Sequence, residues 1–358
     1  MKHDKKLVVN ARFLTKPITG VQRFAIEISR RLRNYLDDVS FVSPKNIVHR
    51  ELFSELGAKV VGSHTGYLWE QVDLVRYLRK MNSPLLLNLE NTAPIWYRYK
   101  ITTLHDIGFI RYPEFYARSF STFYRLFTPF VVKTSIKIIT VSEFSKNEII
   151  TKYKLPSSKV KVIYNAVNEK FHPLINEKKY KENYILAVSS LNRRKNFEGL
   201  LLAFSKLSNE NVKLYVVGEE NRVFGKGGIK EELRNVPKVR FLGRMDDDRL
   251  IELYSNALFF VFPSFYEGFG LPPLEAQACG CPVIVSNRTS LPEIYKDTAL
   301  YCDPDDVEDI KNKMKMLIER SDLREDLREK GLSNVKRFSW DLSAKKLADV
   351  IKEVMKNE

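Results

Sequence analysis

The 358-residue sequence has no apolar run long enough to cross a bilayer, which takes about 18 residues or more. Its three cysteines, Cys279, Cys281 and Cys302, have neither the spacing of a zinc module nor the density of a disulfide framework. They read as small buried hydrophobes in a reducing cytosol. The opening stretch turns polar too soon for a secretory signal, so the expectation is a cytoplasmic protein. There is no internal repeat of solenoid length and no low-complexity tract, which excludes repeat arrays and disordered tails.

What is present is ample material for packed cores, at 44% hydrophobic residues, in a chain long enough for two domains of about 170 residues each. The charge is lopsided. Residues 1–174 hold 28 Lys and Arg against 14 Asp and Glu, so +14 of the net +15 lies in the first half. That excess points to an anionic partner, nucleic acid or an anionic membrane surface, against the plainer reading of a solvated basic surface.

Short apolar runs alternate with amphipathic stretches along the whole chain. Leu7–Val9, Ser40–Val42, Leu85–Leu89, Ile101–Leu104, Lys137–Val141 and Val160–Ile163 read as buried strands, with helix-like segments near 21–36, 66–80, 115–135 and 143–153. The pattern restarts after the polar stretch Asn176–Asn183. Tyr184–Val188, Val212–Val217, Val239–Phe241, Leu258–Phe262 and Pro282–Val285 follow as strands, separated by helices near 196–208, 247–256, 272–280 and 306–319. Such alternation predicts an α/β chain with two doubly wound parallel sheets, Rossmann-like, over residues 1–172 and 173–338. An amphipathic helix over Ser339–Val354 closes the sequence.

The most informative segment is Phe262–Val283. A strand leads into a glycine-flanked loop and then a helix opened by Pro272 and Pro273, residues suited to a first turn. Free N–H groups and a positive dipole end make such a helix start a place for phosphate. Glu267 in the loop and Glu275 in the first helical turn do not suit phosphate, because like charges repel. They suit neutral hydroxyls of a sugar or ribose, or, for Glu275, simple service to the helix dipole.

A second segment, Ala187–Phe197, holds Arg193, Arg194 and Lys195 between a strand and a helix, where two cations would neutralise a diphosphate or be solvated at the surface. Arg244 precedes the run Asp246–Asp248, whose first member reads as a helix N-cap rather than a metal ligand. Gly20 opens a helix after the first strand. His105, beside Asp106, ends a strand where ligands collect in open α/β sheets; a satisfied structural pair is the alternative.

The spacing of Glu267 and Glu275 within Glu-Gly-Phe-Gly-Leu-Pro-Pro-Leu-Glu resembles the E-x7-E signature of family four of the retaining glycosyltransferases, which have the GT-B fold. Ala276–Asn287 and Ser290–Ile294 are similar to that family as well, and the likeness is densest after residue 184. The resemblance implies a nucleotide-sugar donor bound mainly by the second domain. It gives Glu267 the transferred sugar's hydroxyls, Glu275 the ribose, and Arg194 and Lys195 the diphosphate. Phe269, Gly270 and Leu271 offer backbone N–H groups, Arg244 lies beside the nucleobase, and Gly20 and His105 approach the donor and the transferred sugar. Ser190 stands where many members carry Arg, so one phosphate contact differs.

The resemblance further implies retention of configuration without a metal or other cofactor. It is closest in form to mannosyl- and rhamnosyltransferases of surface polysaccharide and lipopolysaccharide assembly, with GDP-mannose the first candidate donor. It also implies that the final helix, 339–358, packs back on the first domain. A saccharide acceptor, lipid-linked, falls to the first domain. There Pro113–Lys133 interleaves aromatics with Arg118, Arg125 and Lys133, a composition suited to a membrane interface or to an ordinary core-facing helix. Nucleic acid is not expected as a partner: no zinc module, RNP motif or helix-turn-helix spacing is present. A non-catalytic sugar-nucleotide-binding relative is the nearest rival, and the intact acidic pair with Arg194 and Lys195 argues against it.

Overall fold

The computed structural model describes residues 6–174, 182–188, 192–207, 211–218 and 236–357. The chain forms two compact units, residues 1–165 with 339–358, and residues 166–338.

The first unit is built on seven parallel strands: β1 (Leu7–Asn10), β2 (Val39–Ser43), β3 (Lys59–Val60), β4 (Leu85–Asn88), β5 (Lys100–Thr103), β6 (Lys137–Thr140) and β7 (Val160–Val162). Their order across the sheet is β3-β2-β1-β4-β5-β6-β7. β1 pairs in register with both β2 and β4, Leu7 opposite Val39 on one side and Leu85 on the other. All four residues of β1 and of β4 are buried, as expected where helices cover both faces of a parallel sheet.

The covering helices follow from their apolar spacing. Phe24, Ile28 and Leu32 recur every fourth residue along Gly20–Leu32 and are buried, while Arg30 and Arg33 on the other side are exposed. The helix Glu143–Tyr153 starts where Ser142 Oγ accepts the Ser145 N–H (3.0 Å) and stops at Lys154, which turns left-handed. The segment near 66–80 is not one uniform helix. A π turn over Trp69–Asp73 interrupts it, with Trp69, Glu70 and Asp73 buried on its inner side. The final helix, Trp340–Lys356, is capped by Ser339 and lies on the helix Gly20–Leu32. Trp340 meets Phe24 edge-on at 6.0 Å, and Ser343 Oγ donates to Tyr164 O at 2.7 Å.

The second unit holds six parallel strands: β8 (Tyr184–Val188), β9 (Lys213–Val217), β10 (Val239–Gly243), β11 (Phe259–Phe262), β12 (Val283–Ser286) and β13 (Leu300–Cys302). Their order is β10-β9-β8-β11-β12-β13. The core between this sheet and its helices gathers Ile185, Leu214, Phe259 and Ile284 from the strands with Leu200, Phe204, Met314 and Leu317 from the helices. In each unit the chain winds outward from the first strand, then returns to place the fourth strand on the first strand's free side. The winding direction reverses between β1 and β4, and between β8 and β11. Ligands of doubly wound folds bind beyond the carboxyl ends of strands at such a reversal.

Two short edge strands, β3 and β13, and the helix Ser321–Val335 were not expected from the sequence. β3 is two exposed residues, and the helix is so charged that no apolar stripe announces it. Its Gly331 lies against Gln277, where a Cβ would stand 3.0 Å from that side chain.

Candidate active site

In the second unit, the loops after β8 and β11 emerge side by side at the reversal point and bring together residues 72 apart in sequence. After β8, Asn192 Oδ1 accepts the Arg194 N–H (3.0 Å) and starts a single 3-10 turn over Arg193–Lys195. The left-handed Asn196 (φ +56°) ends that turn and caps the helix Phe197–Ser205. Its Oδ1 accepts the Gly199 N–H, and its Nδ2 donates to Pro304 O at 2.7 Å. A Cβ on Gly199 would stand 2.5 Å from that amide, so the glycine makes the cap possible. Ser190 lies outside the described residues.

After β11 the chain passes through Glu267 to Gly270, which is left-handed (φ +86°) and precedes the helix Leu271–Ala278. A Cβ at Gly270 would meet Leu291 Cδ2 at 2.5 Å, so both backbone angle and space require glycine there. The helix starts at Leu271, with both prolines in its first turn. Glu275 is therefore its fifth residue, one turn deeper than the first-turn position expected from the sequence.

Glu267 and Lys195 face each other: Nζ to Oε1 is 2.5 Å, and both side chains are buried. Lys195 also sits 4.9 Å from the centroid of the Phe262 ring. Burial pushes the Glu267 carboxyl up. The charges of Lys195 and Arg194, with the hydrogen bond from Lys195, overcome that and hold it below the usual carboxylate range. Its backbone is held from both sides, the N–H donating to Thr289 Oγ1 (3.1 Å) and the carbonyl accepting from Ser290 Oγ (2.9 Å). Thr289 is left-handed (φ +59°), a strained state for a β-branched residue and a common mark of functional loops.

Glu267 and Lys195 were expected to serve different parts of a ligand. The structure makes them one buried ion pair, with Arg194 close enough to act on the same carboxylate. Phe269 is buried against Phe338, edge to face at 5.6 Å, and leaves its backbone at the turn before the helix. Arg244 is exposed after β10, the edge strand two positions from β8. Asp246 is the N-cap expected of it, its Oδ1 accepting the Arg249 N–H at 2.8 Å.

In the first unit, His105 follows β5 and is buried. Its Nε2 lies 3.1 Å from the Leu89 carbonyl, so Nε2 carries the proton and Nδ1 keeps its lone pair. Burial, which outweighs the opposing Leu89, Asp106 and Glu90, lowers its pKa and keeps the ring neutral. Gly20 has an ordinary φ, and nothing in the chain lies within 4 Å of where its Cβ would be, so the fold itself does not require glycine.

A polar network at the carboxyl ends of β1 and β4 went unforeseen. Arg12 Nε lies 3.3 Å from Glu70, and its Nη2 lies 3.6 Å from Glu90 and donates to Thr92 Oγ1. Asn10 donates to Glu70 and Asn88, while Lys16 and Gln22 reach Glu90 at 2.8 Å each. The Glu90 carboxyl, raised by burial, ends below its ordinary value because Arg12 and Lys16 stand beside it. The available signal was placement: Arg12 and Glu90 each come two residues after a fully buried strand, at the reversal of the sheet.

The paired doubly wound sheets are those of the GT-B glycosyltransferases. The Anabaena HepE structure in complex with UDP and glucose superposes with a TM-score of 0.77 at 18% identity, covering 98% of this chain and 100% of that one. Residues 168–333 match the model described as glycosyl transferases group 1, and residues 18–171 match glycosyltransferase family 4. The chain is 32% identical to the O-antigen chain mannosyltransferase RfbU of Salmonella typhimurium over 84% of this chain and 87% of that protein. It is 29% identical to O-antigen chain mannosyltransferase B of Escherichia coli over 94% and 96%. This protein belongs to the family-four glycosyltransferases.

Proposed function

We propose that this enzyme transfers mannose from GDP-mannose, with retention of configuration and without a metal, to a lipid-linked saccharide in surface polysaccharide assembly. The observation that carries the reading is the Lys195–Glu267 pair, with Arg194 beside it, at the reversal point of the second sheet. Two cations face the place where a diphosphate would sit next to a helix start, and a carboxylate kept ionised is ready to accept from sugar hydroxyls. An ammonium has three donors, so Lys195 can hold Glu267 and a phosphate oxygen together.

The charge that grows on the departing diphosphate is the main barrier in such a transfer, and preorganised cations and N–H groups at Phe269–Leu271 lower it. The bond from the anomeric carbon to the phosphate oxygen breaks as the acceptor oxygen bonds to the same face, and the acceptor's proton passes to the leaving phosphate. No side-chain nucleophile takes part; Glu267 orients the sugar. Glu275 binds the ribose and Arg244 lies toward the base. In the first unit, Gly20 leaves room for close approach of a ligand, and His105 offers Nδ1 to the transferred sugar. The polar edge formed by Lys16, Gln22 and Glu90 receives acceptor hydroxyls.

The two O-antigen relatives support mannose as the sugar, and the first-half charge excess supports an acceptor carried on an anionic membrane at its cytoplasmic face. No helix among the described residues is long and apolar enough to cross a membrane. The test is slow donor hydrolysis and thermal shift in EDTA across GDP-mannose and UDP-, dTDP- and ADP-sugars. Selective turnover of GDP-mannose is expected; selective turnover of another donor would replace mannose in this reading.

A further inference from the structure

We propose that the first unit docks on anionic phospholipid through a cationic cavity at the amino-terminal edge of its sheet, flanked by an exposed aromatic stripe. The inference deepens, and rests on, the lipid-linked acceptor reading above. The cavity, of about 370 Å³, lies where the chain enters β4, β5 and β6. Arg79, Arg98, Ser83, Tyr97 and Tyr99 line it with Trp96, and no carboxylate does. Among the described residues neither Arg79 nor Arg98 forms an ion pair. A concave, acid-free pair of guanidiniums is a receptor for phosphate oxygens.

The surroundings identify the source of that phosphate. Trp96 is 74% exposed, and the helix Arg118–Thr134 turns Leu126 (66%) and Phe130 (59%) outward together with Arg125 and Lys133. These surfaces adjoin. Lys100 Nζ donates to Tyr97 O (2.6 Å) and to Thr134 Oγ1 (2.7 Å), bridging the cavity wall to the last turn of that helix. Burial, then the nearby charges of Lys159 and Arg98, bring the Lys100 ammonium down to about 7, with Glu70 opposing them. Free phosphate or nucleic acid would use the arginines and leave Trp96, Leu126 and Phe130 in water. A leaflet takes both: aromatics at headgroup depth, cations on lipid phosphate. The helix is about 25 Å long at 1.5 Å per residue. It runs from the carboxyl-terminal side of the sheet, after β5, to the cavity beside β6, so one lipid-facing strip spans the sheet's height.

Trp69 and Trp340 are buried, so a change in tryptophan emission on binding reports on Trp96. The full chain is mixed at low salt with vesicles of phosphatidylcholine alone or with phosphatidylglycerol, and binding is read by sedimentation and emission wavelength. Binding to the anionic vesicles with a blue shift is expected. Each cation near the surface strengthens partitioning about five-fold. Arg79→Ala with Arg98→Ala should therefore weaken it by roughly 25-fold, and Trp96→Ala should abolish the blue shift, all with unchanged donor hydrolysis. Equal binding to both vesicles, an unweakened double variant, or binding without a Trp96 shift would overturn the docking surface. So would competition by millimolar inorganic phosphate, which would make the cavity a soluble-anion site. In each of these cases continued donor turnover would leave the transferase reading standing, and its loss would count against that reading separately.

Discussion

Lys195→Met tests whether the pair at the centre of the site is a desolvated unit. Lys195 and Glu267 are 8% and 5% exposed and meet at 2.5 Å. Removing the ammonium leaves a carboxylate buried with Arg194 as its remaining cation. Breaking a buried pair in this way costs about 3–5 kcal/mol, whereas replacing both members by neutral groups of similar size is often close to neutral. For a domain of this size that predicts a fall in melting temperature of roughly 6–20 °C. Glu267→Gln alone should lose a similar amount, because it strands Lys195. The double variant should recover most of the loss and give a large coupling term in the cycle.

The pH dependence follows from the direction of the shift. The Glu267 carboxyl is held below its ordinary value, so the pair's contribution is fully present above the unfolded value, about 4.3, and is lost as pH falls through the lower native one. The double variant should lack that acid loss. Urea denaturation of the four proteins at pH 7 and pH 4, with donor hydrolysis alongside, is the assay. Additive losses, each within about 0.5 kcal/mol of wild type, would mean that water screens the pair and would refute the argument.

Three further outcomes are expected. Lys100→Met should raise stability at neutral pH: its native pKa is lowered to about 7, so wild-type stability climbs from pH 7 toward the unfolded value and the variant's should not, as melting curves would show. Asn196→Ala should lower stability by about 1–3 kcal/mol, since it loses a cap, a bond to Pro304 and an easy left-handed backbone; Asn196→Gly should lose less, and both should raise the donor KM through the adjacent Lys195. Thr289→Gly should leave stability unchanged or raised while slowing turnover, because it relieves the strained φ and frees the Glu267 backbone; normal turnover would remove Thr289 from the positioning set.

Much of this architecture is readable in the residues themselves. Buried strands such as Leu85–Asn88 and Tyr184–Val188 are continuous apolar runs, and Asp246 announces a helix start by its side chain and its acidic neighbours. Edge strands carry no such run: β3 is exposed on both residues and could not be distinguished from loop. The π turn at Trp69–Asp73 was hidden because its apolar spacing is that of an ordinary helix. The burial of Glu70 is explained only by the network around Arg12. The Lys195–Glu267 pair was hidden for a different reason. Each residue was legible as a ligand contact, but their meeting depends on β8 and β11 being neighbours, which is a property of strand order.

The most direct test of the central claim is proton NMR of GDP-mannose hydrolysis in EDTA, by the wild type and by Glu267→Ala with its fold verified by circular dichroism. Slow release of mannose that first appears as the α anomer is expected from the wild type, and no release from the variant. Initial β-mannose, an absolute need for added metal, or equal turnover by Glu267→Ala would contradict that claim.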